Sequence, residues 1–373
     1  MTAPLRAAVL GYGLAGSVFH APLLTAEPDC TVAAIVTGNP DRAAAAGERY
    51  PRATVLGTVD ELLARAGDYD LAVVAAPTPV HAELAERTLS AGLPTVVDKP
   101  LAVHSADVER LLTLAARLGV PLTAFQNRRW DGDFRTVRRL VDSGALGEVW
   151  RFESRFEWLN PRPRPAWKSG TAGADGGGVA YDLGAHLIDQ AVQLFGPVDS
   201  YYGELLTHRA GAVNDDDSFV ALRHVSGVRS HLSMSSLVAQ RGFRFRVLGS
   251  EQAFTKWGLD PQESQLASGI AATDPAFGVE EPERWGRLGN DEDAATVPTE
   301  HGGYREFYRL FAAAVRGRGP LPVDPADALV GVRILEDLHA TGGERTTARR
   351  PPAAGGRAAG GLSRGCSGQS VRA

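Results

Sequence analysis

The chain has little cysteine and no long apolar run, and each shortage excludes a class of protein. Only Cys30 and Cys366 occur in 373 residues, too few for a disulfide framework and compatible with a reducing compartment. No segment has the roughly eighteen uninterrupted apolar residues of a membrane helix, and no signal-peptide pattern opens the chain. We therefore expect a cytoplasmic protein with no membrane partner.

An excess of positive charge is also missing. The net charge of −5 gives no electrostatic reason to expect a nucleic-acid partner. The composition, 44% hydrophobic and 22% charged, suits a globular chain with room for two cores. Residues 341–373 carry six arginines, one glutamate and almost no large apolar side chains, so we predict a disordered Arg/Gly-rich tail.

The first 126 residues alternate between short apolar runs and stretches with helical spacing. The runs lie at residues 7–10, 31–36, 71–75, 95–97 and 121–125, with helical spacing at 81–89 and 108–118. Continuous apolar strands separated by helices are typical of a parallel sheet covered on both faces. Residues 1–126 are therefore predicted to form a right-handed, doubly wound α/β domain. Thr78 and Pro79 are predicted as the cap and first turn of one helix.

A strict alternation begins near residue 150. Residues 150–158 place Trp, Phe or Ser at every second position and Arg or Glu between them, which predicts a strand with one apolar face. Similar strands are predicted at 219–225, 231–237 and 243–248, and helices at 182–195, 304–315 and 326–339. Residues 127–340 are thus predicted to form an α+β domain with an open antiparallel sheet, with an acidic surface loop at 274–300.

A glycine-rich turn directly follows the first predicted strand. It consists of Gly11, Tyr12, Gly13, Leu14, Ala15 and Gly16. The first glycine allows a tight turn, the second lets the backbone approach a pyrophosphate, and the third permits close packing of helix on sheet. The following helix adds N–H donors and partial positive charge. We predict a dinucleotide site here, the alternative being an ordinary strand-to-helix turn.

The residues after the second strand favour one dinucleotide. An Asp or Glu at this place bonds the ribose diol of NAD and repels a 2′-phosphate. The chain instead has Thr37, Gly38 and Asn39, and Arg42 can pair with a phosphate. We predict NADP as the cofactor, while Asp41 keeps NAD open as the alternative.

Lys99 lies between Asp98 and Pro100 at the end of the run 95–97. The carboxyl edge of a parallel sheet is where ligands bind in open α/β folds. Removing a hydroxyl proton as hydride leaves carbon, or protonating an alkoxide in reverse, is work that a lysine can do. We predict that Lys99 is the acid/base, the alternative being a surface lysine that ends a strand.

Asp182 and His186 are spaced i, i+4 in a predicted helix, so their side chains are neighbours. His186 can bond or relay a proton to a substrate oxygen, and Asp182 can bind a hydroxyl or orient the histidine. Such a pair alone can also be a capping or surface contact. No metal is predicted, because no other His/Cys cluster has ligand spacing.

Together these segments resemble the Gfo/Idh/MocA oxidoreductase family over residues 5–340. The family's Glu-Lys-Pro motif has its counterpart in Asp98-Lys99-Pro100, where Asp is one methylene shorter, and its downstream Asp and His match Asp182 and His186. Residues 11–24, which include Ser17-Val18-Phe19-His20, and residues 125–130 resemble the NADP-type scyllo-inositol dehydrogenase subgroup. Residues 77–81 are similar to a family loop that lies along the cofactor.

The resemblance implies a Rossmann domain, a substrate-binding and oligomerisation domain, and hydride transfer between nicotinamide and a secondary alcohol or ketone of a cyclic polyol or sugar. It also implies a homo-oligomer, a dimer or tetramer, formed through the sheet, since the apolar face of residues 150–158 needs cover. Further cofactor contacts are expected from Pro77, Thr78, His81, Asp98, Lys99 and Asn127. Substrate contacts are expected from Lys99, Arg128, Asp182 and His186, with Trp158, Trp167 and Lys168 as further candidates.

Two other functions remain open on the same residues. One is an NAD-dependent glycosidase that acts by transient oxidation and elimination. The other is a non-catalytic NADP-binding regulator, which would have no use for a proton-handling lysine.

Overall fold

The structure, a computed structural model, describes residues 3–160 and 170–341. The N-terminal part is a six-stranded, wholly parallel sheet in the order β3-β2-β1-β4-β5-β6. Since the strand order reverses between β1 and β4, their carboxyl ends open a crevice at that point. The strands are β1 (Leu5–Leu10), β2 (Cys30–Val36), β3 (Thr54–Leu56), β4 (Leu71–Val74), β5 (Thr95–Val97) and β6 (Leu122–Ala124).

Helices cover both faces of this sheet, which explains the continuous apolar runs. Every residue of β4 and β5 is buried, so neither strand has a polar face. The predicted doubly wound sheet is confirmed, and only β3, three residues at the sheet edge, was not predicted. The helices are α1 (Ala21–Ala26), α2 (Pro40–Arg49), α3 (Val59–Leu63), α4 (His81–Ser90) and α5 (Ser105–Leu118).

The prediction that Thr78 caps a helix is wrong. Residues Thr78–Val80 form a turn of 3₁₀ helix that makes no side-chain cap bond, and α4 begins at His81. The His81 ring is buried, and its two nitrogens lie 2.8 Å from the carbonyl oxygens of Ala76 and Pro100. This anchored side chain accounts for the helix starting at His81.

The C-terminal part contains an eight-stranded open sheet in the order β14-β13-β12-β11-β7-β10-β9-β8. The predicted α+β architecture is confirmed, but the sheet is mixed: β7 and β10 are parallel, and the other neighbours are antiparallel. Four of its strands, β8, β12, β13 and β14, were not predicted. A parallel pair needs a long crossover, and the connection between these two strands contains the helix Ala185–Phe195 and two further strands of the sheet. The strands are β7 (Val149–Glu157), β8 (Val198–Leu206), β9 (Asp217–His224), β10 (Arg229–Ser235), β11 (Phe245–Gly249), β12 (Ala253–Lys256), β13 (Gly286–Gly289) and β14 (Ala294–Val297).

The alternating strand β7 turns its apolar face into the protein's own core. Phe152, Ser154 and Phe156 are buried there, whereas Trp150 is 56% exposed and Glu153 lies on the outer face. The argument that this apolar face needs a second copy for cover is therefore wrong, because the chain's own helices cover it. The homo-oligomer itself stays a prediction.

Residues 274–300 are not one surface loop, because they contain the hairpin of β13 and β14 that extends the second sheet. Glu280 is buried in this segment and pairs with the equally buried Lys256 at 2.9 Å. Thr299 donates a further hydrogen bond to Glu280. The acidic composition concealed both the strands and this ion pair.

The late helices link the two parts of the chain. Phe307, Tyr308 and Phe311 pack in one cluster with residues of β1, β2 and β4, and Val332 packs against α5. The predicted division at residue 126 stays a prediction, and residues 161–169 and 342–373, with the predicted disordered tail, lie outside the described residues. The helices are α6 (Gly132–Asp142), α7 (Ala185–Phe195), α8 (Gln262–Ala267), α9 (Tyr304–Val315) and α10 (Asp327–Ala340).

In the described part of the chain, no helix is long and apolar enough to cross a membrane.

The buried Lys256–Glu280 pair yields a stability prediction. Lys256→Met should lower the free energy of unfolding by about 3–5 kcal/mol, since it leaves a buried carboxylate without its ammonium. Lys256→Met combined with Glu280→Leu should lose clearly less. Urea unfolding of both variants measures this, and a single variant that loses less than about 1 kcal/mol would contradict it.

Candidate functional site

The turn after β1 has the shape of a phosphate cradle. Gly11 has φ +104°, and a Cβ there would lie 2.5 Å from the Ala75 carbonyl oxygen; a Cβ at Gly16 would lie 2.0 Å from the Gly11 oxygen. These two positions therefore require glycine for the turn to close. At Gly13 the nearest neighbour to a Cβ is the Arg42 guanidinium, 3.7 Å away, which leaves room for a ligand to approach the backbone. The turn fits a dinucleotide pyrophosphate.

The rest of the turn leads into a helix. Residues Ala15–His20 form a π-helical turn that continues as α1, and both the N–H and the hydroxyl of Ser17 donate to the Gly13 oxygen. Leu14 is 64% exposed, whereas Tyr12 is buried edge-on against Tyr50. The positive end of the helix thus faces the cradle.

After β2, Thr37 and Asn39 make hydrogen bonds within the chain, and the Arg42 side chain lies near the glycine turn. Asn39 caps α2 by accepting the Arg42 N–H at 3.0 Å, and the buried Thr37 hydroxyl lies 3.4 Å from the Asn39 nitrogen. Gly38 continues the turn. Because of this cap, the Arg42 guanidinium reaches the space beside Gly13.

The loop after β4 is the opposite wall of the crevice. Pro77 and Thr78 lie on its 3₁₀ turn, while His81 is buried and bonded to backbone. His81 therefore fixes this loop to Pro100, next to Lys99, and does not face open space. Asn127 is also buried, at the start of a 3₁₀ turn after β6.

Lys99 and Asp182 make direct contact across the two parts of the chain. The Lys99 Nζ donates to the Asp182 carbonyl oxygen at 2.6 Å and to its carboxylate at 2.8 Å. The side chains are 17% and 30% exposed, respectively. The ammonium is therefore held at the carboxyl edge of β5 by two oxygens from one residue.

The segment that carries Asp182 is built by a glycine loop and a buried acid. A Cβ at Gly178 would lie 1.7 Å from the Asp215 carboxylate, and one at Gly177 would lie 2.1 Å from the Thr171 oxygen. This close approach lets Asp215 accept the Ala180 N–H at 2.7 Å. A π-helical turn, Ala180–Gly184, then runs into α7, and π turns are frequent at functional sites.

His186 lies one turn beyond Asp182 and is only 4% exposed. Burial, followed by the charges of Lys99 and Arg128, lowers the pKa of His186 well below its usual value. The imidazole is therefore neutral at physiological pH. Its Nδ1 is enclosed by protein and has no hydrogen-bond partner within the described part of the chain.

Arg128 is held among acidic and aromatic side chains. Its guanidinium bonds to Glu263 and to the Tyr304 hydroxyl, lies 3.6 Å from Asp131, and packs over the Phe156 ring. Although burial lowers its pKa, these neighbours hold the pKa of Arg128 well above the usual value. Arg128 thus supplies a fixed positive charge near His186.

Of the other candidates, one lies in the described part of the chain and two lie outside it. Trp158 is partly buried against the second core, and Trp167 and Lys168 fall in residues 161–169. Across residues 3–160 and 170–341, no group of three or more His, Cys, Asp and Glu side chains could hold a metal ion.

Comparison with known proteins identifies the family. Residues 5–126 match the family described as "Oxidoreductase family, NAD-binding Rossmann fold", and residues 134–255 match the "GFO/IDH/MocA C-terminal domain". The scyllo-inositol 2-dehydrogenase (NADP(+)) IolW of Bacillus subtilis is 31% identical, over 92% of this chain and 95% of the relative. The chain belongs to the Gfo/Idh/MocA family of oxidoreductases. Its Rossmann domain is therefore an NAD(P)-binding domain.

Other members of the Gfo/Idh/MocA family agree with this result. The Inositol 2-dehydrogenase of Rhizobium meliloti is 29% identical over 73% of this chain and 81% of its own length. The solved structure of yvaA from Bacillus subtilis superposes with a TM-score of 0.85 at 28% identity, covering 93% of this chain and 99% of that one.

Two site residues, Asp215 and Arg244, were not predicted. Arg244 is fully buried between the rings of Phe156 and Phe245 and donates to Ser154 at 2.5 Å. Burial lowers the pKa of Arg244 to about 10. Arg244 lies inside the predicted strand 243–248, where an arginine gives no sign of burial. Asp215 caps a helix start that is distant in sequence, so its local sequence gave no sign of this role.

Gly13 and Gly16 should respond differently to substitution by alanine, because Gly16 is required for packing and Gly13 leaves room for the ligand. Gly13→Ala should leave the unfolding free energy within about 0.5 kcal/mol and weaken NAD(P) binding. Gly16→Ala should lose roughly 1–3 kcal/mol by overpacking. Gly47→Ala, where a Cβ meets nothing within 4 Å, is the control for helix propensity. Urea unfolding and cofactor titration measure both effects; equal stability of the Gly13 and Gly16 variants would contradict the assignment.

Proposed function

We propose that the protein is an NADP-dependent dehydrogenase or reductase acting on a CH–OH group of a cyclic polyol or sugar, with an inositol as the model substrate. The observation that carries the proposal is the Lys99–Asp182 contact at the carboxyl edge of the dinucleotide-binding sheet. Relatives named as inositol dehydrogenases support the substrate class.

Each polar group has a distinct part in the proposed reaction. A bound nicotinamide would accept or supply the hydride. In the oxidation direction Lys99 acts as the neutral amine and takes the substrate hydroxyl proton; in the reduction direction it acts as the ammonium and returns that proton to the substrate oxygen. Asp182 holds the Lys99 Nζ in place, and its carboxylate binds a second substrate hydroxyl. His186, which is neutral, forms a hydrogen bond with the reacting oxygen of the substrate and adds no positive charge to the site.

Arg128 is proposed to contribute to the substrate pocket mainly through its charge. Since Glu263 and Tyr304 already bond its guanidinium, it is a fixed wall of the pocket. The expected homo-oligomer, a dimer or tetramer, is kept as part of the proposal.

The proposed preference for NADP depends on Arg42. No acidic side chain ends β2, and the Arg42 guanidinium lies beside Gly13. A 2′-phosphate bound there would gain a charge-assisted hydrogen bond.

The reaction class is tested with a panel of inositols, aldoses and keto-sugars, followed by nicotinamide absorbance with both cofactors. Oxidation of a cyclic polyol with NADP supports the proposal. Release of sugar from a glycoside without net cofactor reduction selects the glycosidase, and cofactor binding with no turnover across the panel selects the regulator.

Loss of Lys99 should abolish proton transfer. Lys99→Ala should lower kcat by roughly 10²–10⁴-fold, while NADPH should still bind, since the glycine turn is unchanged. Lys99→Arg is the matched variant: it keeps a cation for Asp182, but guanidinium does not deprotonate in proteins. Stopped-flow turnover and fluorescence titration measure these effects, and an active Lys99→Arg enzyme would refute acid/base action.

Loss of Arg42 should change cofactor preference. Arg42→Ala should weaken NADP binding by about 10- to 100-fold, the value of one charge-assisted bond, while NAD binding changes little. Arg52→Ala, an exposed arginine just beyond α2, is the control. Isothermal titration with both cofactors gives the ratio; unchanged selectivity in Arg42→Ala would remove this residue from the 2′-phosphate site.

A further inference from the structure

His20 is a fully buried histidine that the proposed reaction does not use. It lies at the end of the π-helical turn after the glycine cradle, with its ring packed 4.4 Å from the ring of Phe125. Its Nδ1 is 2.6 Å from the Tyr308 hydroxyl oxygen. Its Nε2 is 3.9 Å from the Asp98 carboxylate and has no hydrogen-bond partner within residues 3–160 and 170–341.

The neighbours of His20 select one tautomer. Burial lowers the pKa of His20 to about 4, so the ring is neutral near pH 7 and carries one N–H. With the proton on Nδ1, a bare Nε2 lone pair would face the Asp98 carboxylate and repel it. With the proton on Nε2, Tyr308 donates to Nδ1 and the Nε2–H points at Asp98. The second arrangement satisfies Tyr308 and replaces the repulsion at Nε2 by an attraction between the N–H and the carboxylate.

Asp98 connects this buried ring to Lys99. Its carboxylate accepts the backbone N–H of Lys99 at 2.8 Å. At 3.9 Å the Nε2–H of His20 is beyond hydrogen-bond length, and the gap is too narrow for a bridging water. The contact is therefore electrostatic. An Asp98 released from this contact could rotate toward the Lys99 ammonium and compete with Asp182 for it.

We propose that His20 is a positioning residue for Lys99: its Nε2–H, set by Tyr308, holds Asp98 on the Lys99 backbone and leaves the ammonium to Asp182. This inference rests on the proposed function for its kinetic consequence, but the tautomer it requires can be observed without turnover.

Two substitutions of His20 test the roles of its two ring nitrogens separately. The amide of Gln places its nitrogen near the position of Nε2, and the shorter amide of Asn reaches only that of Nδ1. His20→Asn should lower kcat about tenfold, which lies within the roughly 10²-fold that a displaced reacting group can cost, with KM for substrate and cofactor unchanged within about twofold. His20→Gln should recover kcat to within about threefold of wild type. Equal kcat in the two variants would overturn the proposal.

A double-mutant cycle tests whether the effect passes through Asp98. If it does, His20→Asn combined with Asp98→Asn should be no slower than Asp98→Asn alone, because the contact is already lost. Additive losses in kcat would mean that His20 acts by another route and would refute the proposal.

The ¹⁵N spectrum of the histidines tests the arrangement independently of activity. Wild-type protein should show His20 as the neutral Nε2–H tautomer at pH 7, assigned by its loss in His20→Gln. Tyr308→Phe should shift the tautomer population toward Nδ1–H. An Nδ1–H tautomer in wild type would overturn the proposal even if the enzyme turns over, whereas an inactive wild type with the Nε2–H tautomer would count against the proposed function alone.

Discussion

The ammonium of Lys99 meets two oxygens of Asp182 although the two residues lie 83 positions apart. The position of Lys99 is set by the end of β5 in the parallel sheet. The position of Asp182 is set by a π-helical turn whose start depends on Asp215 and on glycines that let the chain approach it. Because a short charge-assisted contact tolerates little displacement, both frameworks must hold their positions for the site to exist.

The electrostatics around this contact follow from burial. His186 is surrounded by Lys99, Arg128 and Arg244 and stays neutral, while Arg128 is compensated by Glu263 and Tyr304. In the proposed reaction, Lys99 therefore exchanges its proton among groups whose charge is fixed. Such preorganised charge costs no rearrangement when a substrate changes its own charge.

The sequence allowed the parallel sheet, the glycine turn and the Asp182/His186 pair to be predicted, because the signal for each lies within a short stretch of chain. Strands buried on both faces are continuous apolar runs, the glycine turn occupies six consecutive residues, and Asp182 and His186 lie within one helical turn. Features that depend on distant partners could not be predicted from the sequence. The strands β13 and β14 lie in an acidic segment whose composition is typical of a loop, and the local sequence around Glu280 does not indicate its pairing with Lys256. The inward apolar face of β7 was visible, but what covers it was not.

Helix α9 has a consequence for how the chain folds as it is made. Its aromatic side chains Phe307, Tyr308 and Phe311 pack in a core that contains residues of β1, β2 and β4, together with later residues such as Leu266 and Phe277. During synthesis the N-terminal sheet emerges first, with that apolar surface bare until residue 315 has left the ribosome. The interval is one in which a chaperone that shields exposed apolar surface would prevent association between nascent chains.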